Sequence, residues 1–450
     1  MDKKTNPDLR IAVISDPHLG FTGHINPNYY GLSQQGDQDK WFEYALRYLK
    51  EKGIDALVIP GDMANACSYG RKDMTSADFA VLEMARLAKI FRSVFDGTDT
   101  KLVTIYGNHD NLAQPREKLN GGSSSPWEEA FGEPYTHIVE KEVKGYSFIG
   151  ANWSYEQEAA EIIKREALKN PDKPVFYIQH GEIKGTTCDT HNESLSSVGI
   201  NNVRDYDNVI AMFGHTHCPI TNECTIWQSK DPTAPKCTVL SCSTFNYADS
   251  VGDLVRGENL MTKHALYLTV TGKEINIERL SFWTDEMLSL AKGEKTEQNM
   301  SKCTRSAGAD WHFTLGGERV YDFEYRKSRA IAPEFPETAV AGLCRGDDYV
   351  VIFFPAAIPL DRDDDILHSY YAEAIDENGE VVSRGQICTE YHVDHSADYF
   401  SPYYQIVLTG LKPDTSYTFK VYARDCFGKM SERPVIHYGK TMKTKNWILK

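Results

Sequence analysis

Five short apolar runs in this chain each end abruptly at a histidine, an aspartate or both. Runs that are almost continuously Val, Ile and Leu are typical of strands buried on both faces of a parallel sheet. Because ligands bind outside the carboxyl ends of the strands in open α/β sheets, the five polar ends are predicted to converge on one site. The runs and their polar ends are 11–15 with Asp16-Pro17-His18, 56–60 with Gly61-Asp62, 101–105 with Tyr106-Gly107-Asn108-His109-Asp110, 175–179 with His180, and 209–213 with Gly214-His215-Thr216-His217.

The order of these motifs along the chain narrows the prediction further. The series D-x-H, GD, GNH[DE], a single H and GHxH resembles that of the calcineurin-like metallophosphoesterase superfamily, over roughly residues 9–285. The resemblance implies an α/β catalytic domain over residues 1–285, in which two sheets pack face to face between helices as an αββα sandwich. Independently, the alternation of strand and helix patterns up to Asp110 favours βα units and a mainly parallel sheet.

The side chains at these strand ends are suited to metal-assisted hydrolysis. Oxygen and imidazole ligands fit Mn, Fe or Zn better than they fit metals that prefer thiolates. Two such ions, about 3.5–4 Å apart, lower the pKa of bound water toward roughly 7 and clamp the transition state of phosphoryl transfer. We therefore expect two divalent or trivalent metal ions as cofactors. The resemblance implies their ligands: Asp16, His18 and His217 for a first ion, Asn108, His180 and His215 for a second, and Asp62 as the bridge.

The resemblance also implies a catalytic pair beside the ligands. His109 matches the family's catalytic imidazole, which protonates the leaving oxygen or stabilises the charged phosphoryl group. Asp110, where many members carry Glu, is expected to orient His109 as its carboxylate partner. The implied function is hydrolysis of a small phosphomonoester or phosphodiester by metal-activated hydroxide, with His109 as the general acid. The alternatives are a scaffold that binds metal ions without turnover, against which the complete ligand set argues, and a nuclease.

Substrate contacts are expected from the segments next to the motifs, because loops on a rigid scaffold commonly carry specificity. A polar segment begins at residue 21, and a long irregular one lies between residues 180 and 209. A further strand ends where a pocket wall could lie. For each candidate the alternative is a solvated or structural polar residue. The candidates are His24, Asn152, His191 and Arg204.

Composition limits the partners and the compartment. The 450 residues carry a net charge of −15 without any block of positive charge, so we expect no long nucleic acid as a partner, and a nuclease is disfavoured. No run approaches the roughly 18 apolar residues of a transmembrane helix. The charged N-terminus lacks the apolar segment of a signal peptide, which predicts a cytoplasmic protein, although a trimmed leader would leave the same pattern. Ten cysteines without a Cys-x-x-Cys pair favour reduced thiols.

The C-terminal third changes character, from helical periodicity to short β runs separated by turns. In the run 411–423, alternate residues from Tyr417 onward are apolar, and the lead-in L-x-P-x-T-x-Y resembles the tyrosine corner of fibronectin type III domains. We expect an all-β fibronectin type III-like sandwich within residues 333–450. The tryptophan expected early in such domains is absent, and Phe353 or Phe354 is its expected replacement. Residues 286–332 are predicted to be a connector, with 311–315 and 319–323 as a short hairpin.

Overall fold

The computed structural model describes residues 6–20, 38–66, 75–110, 126–183, 185–186, 201–246, 262–282, 305–358, 366–389 and 401–444. Within these residues the chain divides into two compact units. The first unit runs to Asp322 except for Thr221–Cys224, and the second comprises Thr221–Cys224 and the residues from Phe323 onward. None of the helices described is long and apolar enough to cross a membrane.

The first unit is built from strands and helices that alternate over most of its length. Its helices are α1 (Gln38–Lys52), α2 (Ser76–Phe95), α3 (Pro126–Phe131) and α4 (Ala160–Lys169). Its strands are β1 (Leu9–Val13), β2 (Ala56–Ile59), β3 (Lys101–Thr104), β4 (Ile138–Val143), β5 (Tyr146–Ala151), β6 (Val175–Ile178), β7 (Val209–Phe213), β8 (Ile226–Trp227), β9 (Thr238–Ser241), β10 (His264–Thr271), β11 (Glu274–Ser281), β12 (Arg305–Ser306) and β13 (Trp311–Thr314).

These strands form two sheets. The first has the order β12-β11-β10-β1-β2-β3 with β13 beside β11, and its strands β1, β2 and β3 are parallel. The second has the order β4-β5-β6-β7-β9-β8 and is parallel from β5 through β6 and β7 to β9. Side chains of both sheets, such as Ile11 and Met212, belong to one hydrophobic core. The two-sheet α/β fold expected from the resemblance is therefore confirmed.

Helix α2 shows why the sequence forms helices between these strands. It begins at a capping box, in which the Thr75 hydroxyl accepts the Asp78 backbone N–H at 3.3 Å and the Asp78 carboxylate accepts the Thr75 N–H at 2.7 Å. Apolar residues at helical spacing then bury one face, including Ala80, Met84 and Leu87. The spacing of these apolar residues in the sequence predicts a helix from about Ser76 to Phe95, and the helix has these bounds.

The second unit is a β-sandwich that begins with one short helix, α5 (Phe323–Arg329). One sheet has the order β14-β15-β18 and the other β17-β16-β19-β20, and every pair of neighbours in both is antiparallel. These strands are β14 (Gly342–Arg345), β15 (Tyr349–Pro355), β16 (Leu367–Ile375), β17 (Val381–Cys388), β18 (Tyr403–Thr409), β19 (Ser416–Asp425) and β20 (Val435–Lys440). The predicted all-β sandwich is confirmed.

Two details of the sandwich follow from its sequence pattern. The Tyr417 hydroxyl accepts the backbone N–H of Lys412 at 2.9 Å, which is the hydrogen bond of a tyrosine corner. Phe354 is 1% exposed whereas Phe353 is 44% exposed, so Phe354 takes the core position that the missing tryptophan leaves. The fully buried Tyr370 packs beside Phe354, with their ring centroids 4.9 Å apart.

The predicted connector requires a correction. Part of it completes the first sheet, because β12 and β13 both pair with β11 in antiparallel register. Trp311 is 2% exposed and stacks on the buried Arg279 guanidinium, whose central carbon lies 4.5 Å from the ring centroid. The predicted hairpin is also wrong: 311–314 pairs with β11 instead, and helix α5 begins at Phe323.

Candidate metal centre

The fold brings the five polar strand ends together. The motifs of Asp16, Asp62 and Asn108 follow β1, β2 and β3, which are parallel neighbours in the first sheet. His180 and the His215 motif follow β6 and β7, parallel neighbours in the second. Three overlapping groups of side chains have their ligand atoms within 4.8 Å of one another: Asp16 with His18 and His217, His18 with Asp62 and His109, and Asp62 with His180 and His215.

The first of these groups is closely packed. His217 Nε2 lies 3.2 Å from Asp16 Oδ1 and 3.1 Å from His18 Nε2. Ligand atoms that share one ion, each roughly 2.0–2.2 Å from it, lie about 3–4 Å apart. All three side chains are almost completely buried. The group therefore has the spacing and the donor types of a metal site.

The second group lies on the other side of Asp62. His180 Nε2 is 3.3 Å from Asp62 Oδ2 and 3.0 Å from Asn108 Oδ1. The same Asp62 oxygen is 3.8 Å from His18 Nε2 in the first group. Asp62 thus reaches both groups with one carboxylate, which is the position expected of a bridging ligand.

Backbone carbonyls fix the tautomers of three imidazoles. The Nδ1 atoms of His18, His109 and His180 lie 3.2, 2.8 and 2.7 Å from the carbonyl oxygens of Ala64, Asn65 and Pro60. A carbonyl oxygen can only accept, so in each ring Nδ1 carries the hydrogen, and Nε2 of the neutral ring presents an unshared electron pair.

These Nε2 atoms face other electron-rich atoms. In His180 the unshared pair meets the oxygens of Asn108 and Asp62, and in His18 it meets His217 Nε2. Such an arrangement is repulsive until a proton or a cation lies between the atoms. The residues therefore fit a pair of metal ions held by imidazole, carboxylate and amide ligands, as the sequence predicted.

The electrostatics of the buried carboxylates point the same way. Burial alone would raise the pKa of Asp62, but His180 and His18 outweigh it and lower that pKa strongly. Burial likewise opposes ionisation of Asp16, and His217 and His180 lower its pKa below the ordinary value. Burial lowers the pKa of His18 to about 3 despite the attraction of Asp62. Asp16 and Asp62 thus present two carboxylates to a cation, and His18 presents a neutral imidazole.

His180 differs from His18 in this respect. Burial disfavours its charged form, but Asp62 and Asp16 attract the proton and raise its pKa to about 10. The proton occupies the Nε2 position between Asn108 and Asp62, where a bound metal ion would replace it.

The backbone at the site is unusually constrained. Five of the proposed ligands have positive φ angles, which non-glycine residues seldom adopt and which cost of order 1–3 kcal/mol each. Such strain persists only where the surrounding structure enforces it, and it clusters at functional sites. The angles are 48° at Asp16, 41° at His18, 48° at Asp62, 66° at His215 and 52° at His217.

Two glycines make the close approach of these ligands possible. A Cβ atom on Gly107 would lie 2.2 Å from Asp62 Oδ1, and one on Gly214 would lie 2.3 Å from Asp16 Oδ2. Any larger residue would displace a proposed ligand. The motifs contain both glycines, but only the folded geometry shows which carboxylates they accommodate.

Asp110 requires a correction. Its carboxylate does not contact the His109 imidazole; it accepts three backbone N–H bonds, from Met63 at 3.1 Å, Ala64 at 2.9 Å and Gly107 at 3.0 Å. Burial and the nearby Asp62 raise its pKa to about 7, against the effect of these hydrogen bonds. Asp110 therefore ties the strand ends after β2 and β3 together, and the Asn65 carbonyl orients His109 instead.

The predicted substrate contacts are corrected in part. Asn152 is completely buried; its Oδ1 accepts the Tyr106 N–H at 2.6 Å and its Nδ2 donates to the Thr136 carbonyl at 2.6 Å, so it is a structural residue. The exposed Arg204 donates to the Thr233 carbonyl at 2.7 Å and contacts no proposed ligand among the residues described. The other candidates, His24 and His191, lie outside the described residues.

Trp153 follows Asn152 at the strand end where the sequence predicted a pocket wall, although it was not among the predicted substrate contacts. The ring of Trp153 lies 5.5 Å, centroid to centroid, from the rings of both His180 and His215. The position of Trp153 just after strand β5, which ends near the motifs, is the sequence feature that indicates a residue near the site. Cys218, Cys224, Cys237 and Cys242 are buried and form no disulfide among the residues described.

The first unit of the chain is similar to proteins of a known family. Residues 9–219 match the family of calcineurin-like phosphoesterases. No curated protein matches the chain significantly. Among solved structures, a dimetal phosphatase from Danio rerio is 9% identical with a TM-score of 0.43, over 69% of this chain and 100% of that one.

Two further solved structures are similar to this chain. Purple acid phosphatase PPD1 from yellow lupin seeds is 13% identical with a TM-score of 0.39, over 70% of this chain and 57% of that one. The fibronectin type III domain of human fibronectin type III domain containing protein 3 is 19% identical with a TM-score of 0.17, over 27% of this chain and 96% of that one.

Proposed function

We propose that this chain, whose residues 9–219 match the calcineurin-like phosphoesterases, hydrolyses phosphomonoesters or phosphodiesters of a small substrate at a centre of two metal ions. One observation carries the proposal. Two groups of buried ligand atoms share the Asp62 carboxylate, and the free nitrogen of His109 lies beside it, 4.0 Å from Asp62 Oδ2.

Each metal ion would have its own ligands, and one ligand would be shared. Asp62 would serve both ions because its Oδ2 reaches His18 on one side and His180 on the other. Two bound ions of the Mn, Fe or Zn type would supply a nucleophile at neutral pH and neutralise the phosphoryl oxygens. The remaining ligands would be Asp16, His18 and His217 for one ion and Asn108, His180 and His215 for the other.

His109 is positioned to handle the proton of the leaving group. Its Nδ1 is committed to the Asn65 carbonyl, so only Nε2 is available. Its side chain is 35% exposed, whereas the side chains of His18 and His180 are at most 1% exposed. The backbone N–H of His109 donates to Asp62 Oδ1 at 2.9 Å, which fixes the residue beside the shared carboxylate. When protonated, Nε2 can donate to the leaving oxygen as a general acid.

The substrate would approach from the side of Asn108, His109 and His215, because these three are half-buried whereas the other proposed ligands are buried. The acidic chain, with a net charge of −15, supports a small ester over a long nucleic acid.

The test compares two variants on two substrates. We expect the wild type loaded with Mn²⁺ to hydrolyse a chromogenic phosphomonoester, a phosphodiester or both. His109→Ala should retain both metal ions and lose about 10²–10⁴-fold in kcat, the usual contribution of a general acid. Asp62→Ala should lose both metal ions and all turnover.

One control variant and two further outcomes keep the possibilities separate. His137→Ala removes an exposed imidazole that pairs with Glu158 and contacts no proposed ligand among the residues described, so it should change neither metal content nor kcat. Equal metal loss in His109→Ala and Asp62→Ala would overturn the role of His109. A wild type that holds two metal ions and hydrolyses no ester would favour the metal-binding scaffold over the enzyme.

A further inference from the structure

Trp153 lies against the second group of ligands. Its backbone N–H donates to the carbonyl of Tyr106 at 3.1 Å, immediately before the Gly107-Asn108-His109 turn. Its ring meets the His180 ring at 66° and the His215 ring at 50°, each with centroids 5.5 Å apart. The indole is therefore fixed at one end to the catalytic turn and lies along two proposed metal ligands.

The neighbouring backbone leaves room for this ring. A Cβ atom on Gly181 would lie 3.3 Å from Trp153 Cζ3 and 3.8 Å from Cη2. Because Gly181, which follows His180, has no side chain, the indole packs directly over the backbone at that position. This packing fixes the ring plane beside the half-exposed His215.

Part of the indole remains open to solvent. Trp153 is half-buried, and its Nε1–H has no hydrogen-bond partner among the residues described, yet it is not a buried unsatisfied group. A buried indole N–H normally finds a partner, so among the residues described this donor is open to solvent, on a ring that lies beside the half-buried His215. By contrast, the next aromatic along the chain, Tyr155, stacks on His137 with centroids 3.7 Å apart.

We propose that Trp153 is a specificity-determining residue that contacts substrate: its open face stacks on a planar aromatic group of a phosphoester whose phosphoryl group lies at the metal ligands. The proposal rests on the proposed function and adds the substrate class, an ester that carries an aryl or heteroaromatic ring. Stacking between an aromatic side chain and such a ring tolerates different ring chemistries because every aromatic ring presents a π face. The indole N–H adds a donor at the edge of the stack.

A binding experiment tests this without turnover. Calorimetry on the Mn²⁺-loaded protein would compare phenylphosphonate with methylphosphonate, which present the same phosphoryl group with and without a ring. We expect the wild type to bind phenylphosphonate about 10-fold more tightly, within the range that stacking supplies. Trp153→Leu should bind both with equal affinity, and Trp153→Phe should retain most of the preference.

Two readouts distinguish a Trp153 that contacts substrate from one that only supports the ligands His180 and His215. If Trp153 only held His180 and His215 in place, Trp153→Leu would lose metal ions and weaken both phosphonates equally, which would overturn the proposal. Tyr155→Leu removes a nearby aromatic ring and should leave the phenyl preference unchanged. A wild type that binds both phosphonates equally, or neither, would also overturn it.

Turnover separates this proposal from the proposed function. For an aryl and an alkyl ester of the same type, the ratio of variant to wild-type kcat/KM cancels the intrinsic reactivity of each ester. For the aryl ester, kcat/KM of Trp153→Leu should be about 10-fold below the wild-type value, mainly because KM rises. For the alkyl ester, kcat/KM should stay within about twofold of the wild-type value. Phenylphosphonate preference without hydrolysis of either ester would support the stacking role and contradict the hydrolase.

Discussion

At the scale of single residues, the second nitrogen of each imidazole decides what the site can do. The carbonyls of Ala64, Asn65 and Pro60 take the Nδ1 hydrogens of His18, His109 and His180, which leaves every Nε2 directed at the shared carboxylate region. Orientation of this kind raises the affinity of a site for metal because little freedom is lost on binding.

Asp110 yields the first prediction at this scale. Asp110→Asn replaces one carboxylate oxygen with an NH₂ group that would face a backbone N–H of Met63, Ala64 or Gly107. We expect the free energy of unfolding to fall by ~1–3 kcal/mol, the cost of leaving buried donors unpaired. The pH dependence of turnover should not shift, because Asp110 does not contact the His109 ring. Urea unfolding and a pH–rate profile measure the two effects.

The matched control is Asp99→Asn, an exposed aspartate after helix α2, which should change neither quantity. If Asp110→Asn shifted the pH–rate profile and left the stability unchanged, Asp110 would be the carboxylate partner of the His109 imidazole after all.

The convergence of the proposed ligands could be predicted from the sequence because these side chains lie in short motifs at the ends of apolar runs. The sequence could not predict the role of Asp110 or of Asn152, because their partners are backbone groups from distant segments: Met63 and Ala64 for Asp110, and Tyr106 and Thr136 for Asn152. Backbone hydrogen bonds of this kind have no residue signature in the sequence.

At the scale of elements, strand β13 shows where pattern analysis fails. The longer helices have regular periodicity and the parallel strands are nearly continuous apolar runs, so both could be predicted. By contrast, β12 has only two residues, and β13 alternates buried and exposed residues over only four. In β13 the alternation of buried Trp311 and Phe313 with exposed His312 and Thr314 is too short to distinguish from a loop. These strands extend the first sheet past the predicted domain end at residue 285.

Trp311→Ala tests that extension. Because Trp311 is 2% exposed and packs on the buried Arg279, we expect the free energy of unfolding of the first unit to fall by ~3–5 kcal/mol. Urea unfolding measures this loss. Leu168→Ala, at a side chain that is 65% exposed, should have little effect. A Trp311→Ala variant as stable as the wild type would mean that residues 311–314 behave as a connector after all.

At the scale of the whole molecule, each of the two units has its own hydrophobic core, that of the second around Phe354, Tyr370 and Phe419. Every proposed metal ligand among the described residues lies in the first unit. The order of a catalytic domain and a β-sandwich was predictable because the periodicity of the sequence changes between them. The role of the sandwich was not predictable, because its function has no residue signature in the chain.

A pH dependence separate from metal binding is expected in the second unit. His368 is 4% exposed, and burial, with a contribution from Arg424, lowers its pKa to about 3. An unfolded histidine has a pKa near 6.5, so between about pH 6.5 and 3 the unfolded chain binds a proton that the folded chain does not. Stability is therefore lost as pH falls through this window, by ~1.4 kcal/mol per unit.

The measurement is urea unfolding at pH 7.5 and pH 5.0, followed by pulsed hydrogen exchange in peptides of β16 and β19. His368→Gln should remove most of the pH-dependent difference in the second unit. His437→Gln, in strand β20, controls for the loss of a half-buried imidazole. An equal pH dependence in wild type and His368→Gln would show that another group causes it.

The stoichiometry of bound metal, measured by elemental analysis of the full chain after loading with Mn²⁺ and removal of free ions, tests the two-metal centre most directly. We predict two metal ions per chain in the wild type, two in His109→Ala and none in Asp62→Ala, because Asp62 Oδ2 reaches both groups of ligands. One ion or none in the wild type, or two ions in Asp62→Ala, would contradict a centre built around a shared carboxylate.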